Sequence, residues 1–207
     1  CKLVALGKPT EKESKKWFKR YEKHLPNTGE IVFFDRSWYT RALVEATMGY
    51  CTKRQYTYFM KNVIPWEKKQ IEEGVEFFKF YLSIEKNTQQ KRIDKRATSP
   101  LVYWKISEND LKMLDKWDAF TLYKEQMFKR TSYDEAPWIV LNANHKKVAI
   151  LSALRFILNA FDYPDKDLPK PKTWSEGLNN YKVEINKVLF ENLSYQQYKT
   201  LRVFADE

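Results

Sequence analysis

Glycine and cysteine are both scarce in this chain, with five and two residues among 207. A loop-rich all-β fold needs many tight turns, which glycine usually supplies, so that fold class is disfavoured. Cys1 and Cys51 are too few for a disulfide framework or a cysteine-based metal site. No apolar run approaches the roughly eighteen residues of a transmembrane helix, and no signal peptide is visible. We therefore expect a cytoplasmic protein without a membrane partner.

Acidic residues are outnumbered: 37 lysines and arginines stand against 27 aspartates and glutamates, which gives a net charge of +10. This charge favours polyanionic partners, among them nucleic acids, anionic lipid surfaces, nucleotides and polyphosphate. It is equally compatible with a soluble protein whose copies repel one another, so charge alone selects no function. The 16% aromatic content argues against disorder, and the length suits one sizeable α/β domain.

Short apolar runs alternate with longer helical patterns along the chain. We predict strands at residues 3–6, 31–34, 77–84 and 138–141, and helical stretches at 10–25, 52–73, 86–131 and 148–161. The run 31–34 is apolar without alternation, which is typical of a parallel strand buried on both faces. The alternation of strands with helices favours a parallel sheet covered on both faces, so the predicted fold class is α/β with three layers.

The sequence also predicts where helices begin and which helix faces are buried. Three pairs match the capping-box pattern, namely Thr10 with Glu13, Thr52 with Gln55, and Ser107 with Asp110. Pro65 is expected to kink or divide the helix at 52–73. The apolar positions of the last helix, including Leu151, Leu154 and Leu158, are expected to face the core.

Asp35 follows the apolar run 31–34 directly. In open parallel sheets, ligands bind beyond the carboxyl ends of the strands, so a rigidly placed carboxylate there lies where a ligand would bind. In nucleotide-binding sheets of the P-loop type, such an aspartate holds or orients magnesium. A helix cap or a simple turn at the end of the strand is the competing interpretation.

Two arginines, Arg36 and Arg41, come soon after this aspartate. Guanidinium groups match phosphate oxygens with two parallel hydrogen bonds, and phosphoryl transfer depends mainly on positioning and charge neutralisation. A structural ion pair between Asp35 and an arginine is the alternative. Lys8 follows the first predicted strand and is a further candidate for a phosphate contact at the same edge.

A second basic group lies at Lys91, Arg92, Lys95 and Arg96. Arg92 and Arg96 are one helical turn apart and therefore share a face. In nucleotide kinases, a helical insertion of this kind closes as a lid over the transferring phosphate and excludes water. A solvated charged face is the competing interpretation of such a run.

At these positions the sequence resembles the polyphosphate kinase 2 family. The motifs that carry the resemblance are LGKPT at 6–10, GEIVFFDRSWY at 29–39, MGYCT at 48–52, FKF at 78–80, DKWD at 115–118 and APW at 136–138. They occur in order and cover about residues 3–165, which is more specific than any single motif.

The resemblance implies a P-loop kinase fold related to thymidylate kinases, with a helical lid at about residues 86–115. It implies Mg²⁺ as cofactor, with inorganic polyphosphate and nucleoside di- and triphosphates as partners in a reversible phosphoryl transfer. The motifs are most similar to the subgroup that phosphorylates nucleoside diphosphates such as ADP or GDP. Members typically assemble as homodimers or homotetramers.

The family's functional residues carry over to five positions. Asp35 matches the Walker B aspartate, which binds magnesium and positions phosphate, and Arg36 matches its phosphate-contacting neighbour. Arg96, and more weakly Arg92, match positions in the lid. Asp110 matches an acidic lid position that approaches the active site.

The expected organisation is a kinase domain at 1–165, followed by a linker and a helical tail at 166–207. Nothing in the sequence matches the Gly-x-x-x-x-Gly-Lys pattern of a Walker A loop, whose backbone N–H groups and lysine cradle the phosphates. The resemblance implies that this loop precedes residue 1. We therefore expect negligible activity from this chain alone and activity from a parent protein that contains the loop.

Two other functions compete with that of a polyphosphate-dependent kinase. A nucleoside monophosphate kinase of the same fold would use a nucleotide donor, whereas the high positive charge and the arginines at 92 and 96 suit a long polyanion better. A non-enzymatic polyanion or nucleic-acid binder would explain the charge but not a buried strand that ends in Asp35 and Arg36, so we expect no nucleic-acid partner.

Overall fold

The computed structural model of this protein describes residues 1–166 and 181–205. Its contacts divide the chain into two compact units. The first comprises Cys1–Glu76 and Lys116–Thr131, and the second comprises the described parts of Phe77–Asp115 and Ser132–Glu207.

Each unit combines helices with parallel strand pairs, which confirms the α/β part of the predicted class. In chain order the elements are β1 (Lys2–Ala5), α1 (Glu11–Lys15), α2 (Trp17–Glu22), β2 (Val32–Asp35), α3 (Val44–Met48), α4 (Lys53–Glu72), β3 (Lys79–Ser83), α5 (Lys86–Ala97), α6 (Glu108–Asp115), α7 (Trp117–Thr131), β4 (Trp138–Asn142), α8 (Lys146–Ala160), β5 (Tyr181–Ile185), β6 (Val188–Leu193) and α9 (Tyr195–Ala205). Two 3₁₀ turns, Trp38–Arg41 and Tyr103–Lys105, complete the description.

In the first unit, β1 and β2 pair in parallel, with Lys2 opposite Val32 and Ala5 opposite Asp35. Thr10 and Glu13 form the predicted capping box at the start of α1. The predicted continuous helix to residue 25 is interrupted, because Lys16 has the non-helical angles φ −117° and ψ 57°. The chain therefore forms two short helices before β2.

The helix α4 begins at the predicted capping box of Thr52 and Gln55 and continues through Pro65 without being divided. Its buried face includes Phe59 and Val63. Phe59 meets the ring of Tyr39 at 5.6 Å, so this helix packs on the aromatic core that follows β2. No helix within residues 1–166 or 181–205 combines the length and the apolar character needed to cross a membrane.

The second unit contains a four-stranded sheet in the order β3-β4-β6-β5. β3 pairs with β4 in parallel, and β4 pairs with β6 in parallel. β5 joins β6 as an antiparallel hairpin. The first four residues of β4, which lies between two strands, are all buried. This agrees with the apolar run predicted at 138–141.

The prediction of a helical tail is wrong for residues 181–193, which form β5 and β6, whereas α9 fits it. The two strands are joined by Asn186 and Lys187, both in the left-handed region with φ of 51° and 63°. Two successive positive φ angles are the signature of a tight hairpin turn whose twist matches that of the strands. Within the predicted linker and tail at 166–207, residues 167–180 lie outside the described residues.

The predicted apolar face of α8 does not lie in the core of the described structure. Leu154 is 46% exposed, and Leu151 and Leu158 are also exposed. A helical apolar stripe indicates which side of a helix can be covered, but it does not indicate what covers it.

Two leucines opposite each other in the second sheet allow a test of this packing. Leu82 in β3 pairs in register with Leu141 in β4, but Leu82 is 59% exposed and Leu141 is 0% exposed. We expect Leu141→Ala to lower the free energy of unfolding by about 2–5 kcal/mol because it leaves a cavity. The matched change Leu82→Ala should cost less than about 0.5 kcal/mol. Equal losses in urea unfolding would contradict this assignment of the core.

Candidate active site

The carboxyl ends of β1 and β2 lie side by side, because the parallel register places Ala5 opposite Asp35. Three charged side chains emerge at or just beyond this edge, those of Lys8, Asp35 and Arg36, and all three are exposed. Within the described residues, none of them forms an ion pair or a side-chain hydrogen bond. One carboxylate and two cations are therefore available to a ligand at this edge.

Arg36 has a left-handed backbone conformation, with φ of 67°. Such angles are uncommon for residues other than glycine; each costs about 1–3 kcal/mol and persists only where the surrounding structure enforces it. Ser37 then begins the 3₁₀ turn Trp38–Arg41, because its side chain accepts a hydrogen bond from the backbone N–H of Tyr39. The strand thus turns sharply immediately after Asp35.

Aromatic side chains hold this turn. The indole N–H of Trp17 donates to the carbonyl of Trp38 at 2.9 Å, and the Tyr21 hydroxyl donates to the carbonyl of Ser37 at 3.3 Å. The indole N–H of Trp38 in turn donates to Oε1 of Glu67 at 2.9 Å, in the buried interior. Side chains from α2 and α4 therefore fix the backbone that carries Asp35 and Arg36.

Arg20 fixes the neighbouring loop. It is only 6% exposed, and its Nη2 donates to the carbonyl of Gly7, just before Lys8. Glu13 Oε1 lies 3.8 Å from the Arg20 Nε. Arg20 was not among the predicted site residues, although its spacing from Trp17 places both residues on one face of α2.

The predicted phosphate contact of Arg41 is not available in this structure, because Arg41 is 1% exposed. Its Nε lies 3.0 Å from Oε2 of Glu45, its Nη2 donates to the Ser14 carbonyl at 3.2 Å, and its guanidinium lies 3.9 Å from the Trp17 ring centroid. Arg41 is therefore a structural residue that joins α1, α2 and α3.

Burial raises the pKa of Glu45, and the nearby Arg41 guanidinium partly opposes that rise. The free-energy cost of removing the Glu45 carboxylate from water is therefore larger than its stabilisation by the Arg41 guanidinium. The pair of Arg41 and Glu45 thus resembles other buried ion pairs, which specify how elements pack more than they stabilise them.

In the second unit, the structure brings two predicted lid residues together. Arg96 Nη2 of α5 lies 3.6 Å from Oδ1 of Asp110 in α6, and both side chains are about one-third exposed. Ser107 and Asp110 also form the predicted capping box, since the backbone N–H of each is bonded to the side chain of the other. The acidic and basic positions predicted separately from sequence therefore form one contact.

Arg92 has a different environment from Arg96. Its Nη2 donates to the carbonyls of Ala143 at 2.7 Å and Asn144 at 2.9 Å, in the loop after β4. Part of the guanidinium is thus used within the protein. A phosphate contact by its other nitrogens stays a prediction.

No group of three or more histidine, cysteine or carboxylate side chains in the described ranges converges on a metal-binding point. Asp35 contributes a single exposed carboxylate. This fits Mg²⁺, which is commonly held by one or two carboxylates together with substrate phosphates and water. It does not fit a metal ion held by protein ligands alone.

Comparison with known proteins is consistent with this geometry. The sequence profile of the family described as Polyphosphate kinase 2 (PPK2) matches residues 1–169. The chain is 43% identical over 183 residues to "Polyphosphate kinase PPK2B" of Corynebacterium glutamicum, covering 86% of this chain and 60% of that protein. It is 45% identical over 168 residues to "GDP-polyphosphate phosphotransferase" of Mycolicibacterium smegmatis, covering 81% and 59%.

A solved structure is similar as well. The crystal structure of polyphosphate kinase 2 from Arthrobacter aurescens TC1 matches with a TM-score of 0.70 and 30% identity, over 81% of this chain and 62% of that chain. The chain spans about 60% of the length of these two curated relatives.

The role of Arg20 can be tested with its neighbour as a control. We expect Arg20→Met to lower the free energy of unfolding by about 1–3 kcal/mol, because the Gly7 carbonyl loses a charged donor. Lys19→Met removes the same charge from an exposed position of the same helix and should change stability by less than about 0.5 kcal/mol. Similar losses for both variants in urea unfolding would show that Arg20 does not anchor the loop.

Proposed function

The chain belongs to the polyphosphate kinase 2 family, and from this premise we propose that it functions in reversible phosphoryl transfer between inorganic polyphosphate and a nucleoside diphosphate. The observation that supports this most directly is the edge of β1 and β2. There an exposed carboxylate, Asp35, lies at a strand end with Lys8 and Arg36 nearby, all without protein partners in the described residues. Phosphoryl transfer requires such uncommitted charges, because it runs on positioning and charge neutralisation.

The proposed architecture is that of a thymidylate-kinase-like P-loop kinase, in which a parallel sheet lies between two layers of helices. Residues 1–165 would form the kinase domain. The parallel pairs of β1 with β2 and of β3 with β4 support it. We propose that α5 and α6, within residues 86–115, act as the lid. The contact of Arg96 with Asp110 supports this role, because it joins the two helices while both side chains remain partly exposed.

Each site residue has a proposed role. Asp35 would hold Mg²⁺ together with phosphate oxygens, and the ion when bound would neutralise phosphate charge. Lys8 and Arg36 would bind phosphate oxygens, Lys8 as a point charge and Arg36 through its planar fork. The strained conformation of Arg36 supports this role, since strain of this kind is retained where the surrounding core enforces it for function.

The lid residues would act on the same substrate in a different way. Arg96 would add positive charge to the transferring phosphate, and lid closure would exclude water that otherwise hydrolyses it. Arg92 would contribute less, because its Nη2 already binds two carbonyls. Asp110 would hold Arg96 in place until phosphate replaces the carboxylate as its partner.

Donor preference tests the proposed function. Phosphorylation of a nucleoside diphosphate (ADP or GDP) by polyphosphate should be measured beside phosphorylation of a nucleoside monophosphate (AMP or GMP) by ATP, both in the presence of Mg²⁺. The assay should include this chain and a longer protein in which a Walker A loop precedes it. Activity is expected with polyphosphate and from the longer protein. Faster transfer from the nucleotide donor would favour a nucleoside monophosphate kinase, and equal rates for the two proteins would contradict the need for the loop.

The same assay, with chelation and oligomer measurements, covers the other proposed properties. Removal of Mg²⁺ with a chelator should abolish turnover, and readdition should restore it. We further propose a cytoplasmic homodimer or homotetramer, as the resemblance implies. Light scattering of the active protein would measure its mass directly.

The carboxylate of Asp35 provides the sharpest single test. Asp35→Asn preserves size but removes the charge, so turnover with polyphosphate should fall at least about a hundredfold. Asp162→Asn makes the same change at a fully exposed position and should leave turnover within about twofold. Activity of Asp35→Asn within tenfold of the unmodified protein would contradict the role assigned to this carboxylate.

Arg96 can be compared with Lys95, its exposed neighbour on α5. Arg96→Gln should raise the KM for polyphosphate about tenfold, because one charge-assisted phosphate contact is lost. Lys95→Gln removes the same charge from the same helix and should have a much smaller effect. Equal effects would indicate that α5 attracts polyphosphate only through its overall charge.

A further inference from the structure

The residues after 181 extend the second sheet beyond the part of the chain that the family profile matches, which ends at residue 169. β6 runs parallel to β4, with Trp138 opposite Val188 and Leu141 opposite Glu191. The carboxyl ends of β4 and β6 therefore lie at one edge of the sheet. The loop that follows β4 begins at this edge.

Asn192 connects β6 to that loop. Its Oδ1 accepts a hydrogen bond from the backbone N–H of Asn142 at 2.7 Å, and its Nδ2 donates to the carbonyl of Asn142 at 3.3 Å. Asn192 is 7% exposed and has a left-handed φ of 50°. The strained backbone thus presents a buried amide to the backbone of Asn142, where the ladder between the two strands ends.

The Asn142 side chain continues the connection in two directions. Its Nδ2 donates to Oε1 of Gln197 at 2.9 Å, and Gln197 belongs to α9. Its Oδ1 accepts from the backbone N–H of Asn144 at 3.1 Å. Gln197 Oε1 also accepts from the backbone N–H of Ser194, so the start of α9 is part of the same network.

Asn144 then reaches the start of α5. Its Oδ1 accepts from the backbone N–H of Glu85 at 3.1 Å, and its Nδ2 donates to Oε1 of Glu85 at 3.0 Å. The carbonyls of Ala143 and Asn144 accept from Arg92. The segment 142–144, which comprises the last residue of β4 and the first two residues after it, is therefore bonded to β6 and α9 on one side and to α5 on the other.

We propose that residues 181–205 form a clamp that positions α5 through the segment 142–144, with Asn192 as its central positioning residue. Arg96 is reached through one more contact, since its Nε donates to the carbonyl of Arg92 at 3.3 Å. The clamp is a property of the fold. Its consequence for polyphosphate rests on the proposed function, because that function assigns the phosphate contact to Arg96.

The first test measures amide hydrogen exchange in the 207-residue chain. Asn192→Gly removes the side chain while allowing the same φ angle. The N–H groups of Asn142 and, through the network, of Glu85 should exchange about tenfold faster. Faster exchange at Asn142 with no change at Glu85 and along α5 would overturn the proposal.

Two variants control this experiment. Asn186→Gly makes the same change at another left-handed position, φ 51°, whose side chain forms no hydrogen bond in the described residues, and should leave the exchange of α5 unaltered. Asn192→Asp keeps the acceptor for the Asn142 N–H and should restore most of the protection. If Asn192→Gly does not fold, Gln197→Met can replace it, because it removes one hydrogen bond to Asn142. Amide exchange at Glu85 should then be accelerated to a smaller extent. Unchanged exchange at Glu85 would overturn the proposal.

A kinetic test in the longer protein, in which a Walker A loop precedes this chain, separates the clamp from the proposed function. Asn192→Gly should raise the KM for polyphosphate about threefold to tenfold, with kcat changed by less than about twofold, because a phosphate contact is displaced rather than lost. Asn186→Gly should match the unmodified protein. Absence of turnover in every variant, with α5 exchanging faster as expected, would contradict the proposed function but support the clamp. Turnover with an unchanged KM and unchanged exchange would overturn the clamp alone.

Discussion

Parallel pairing of β1 with β2 is the constraint on which the candidate site of the first unit depends. Because both strands run in the same direction and Ala5 lies opposite Asp35, the loops that follow them begin at one edge. An antiparallel pair would send Lys8 and Asp35 to opposite ends of the sheet. The pairing thus brings together two residues that are 27 positions apart in the sequence, without any direct bond between them.

Pairing alone would leave the turn after Asp35 free to relax from the strained angles of Arg36. Buried hydrogen bonds from Trp17 and Tyr21 to this turn, and from Trp38 to Glu67, oppose that relaxation. Aromatic residues suit this task because each buries a large apolar area and still offers one polar atom for a directed bond. The core around these rings therefore fixes the positions of the solvent-exposed charges of Asp35 and Arg36.

Local patterns in the sequence predicted the strands at 31–34 and 138–141, the three capping boxes and the place of Asp35 at a strand end, because each depends on a few adjacent residues. The predicted burial of the first of these strands on both faces is wrong, since Ile31 and Phe33 are exposed. The burial of Arg41 was not predictable in this way, since it depends on Trp17 and Ser14, which only the fold brings close. The strand β5 did carry a signal that was missed: Tyr181, Val183 and Ile185 alternate with charged residues. The periodicity of the sequence identified the apolar face of α8, but it did not indicate what packs against that face.

The burial of Arg20 and Arg41 changes how the net charge of +10 is interpreted. Both cations are enclosed by aromatic rings, carbonyls and carboxylates, so they contribute to the packing of the first unit and little to binding an anion. Lys8 and Arg36 are exposed, and Arg96 pairs with one carboxylate, that of Asp110, in the part of the chain that the structure describes. Affinity for a polyanion depends on cations that can exchange water for phosphate, and not on total charge. A few exposed cations, held in position by a rigid aromatic core, therefore support phosphoryl transfer more strongly than the net charge of the chain does.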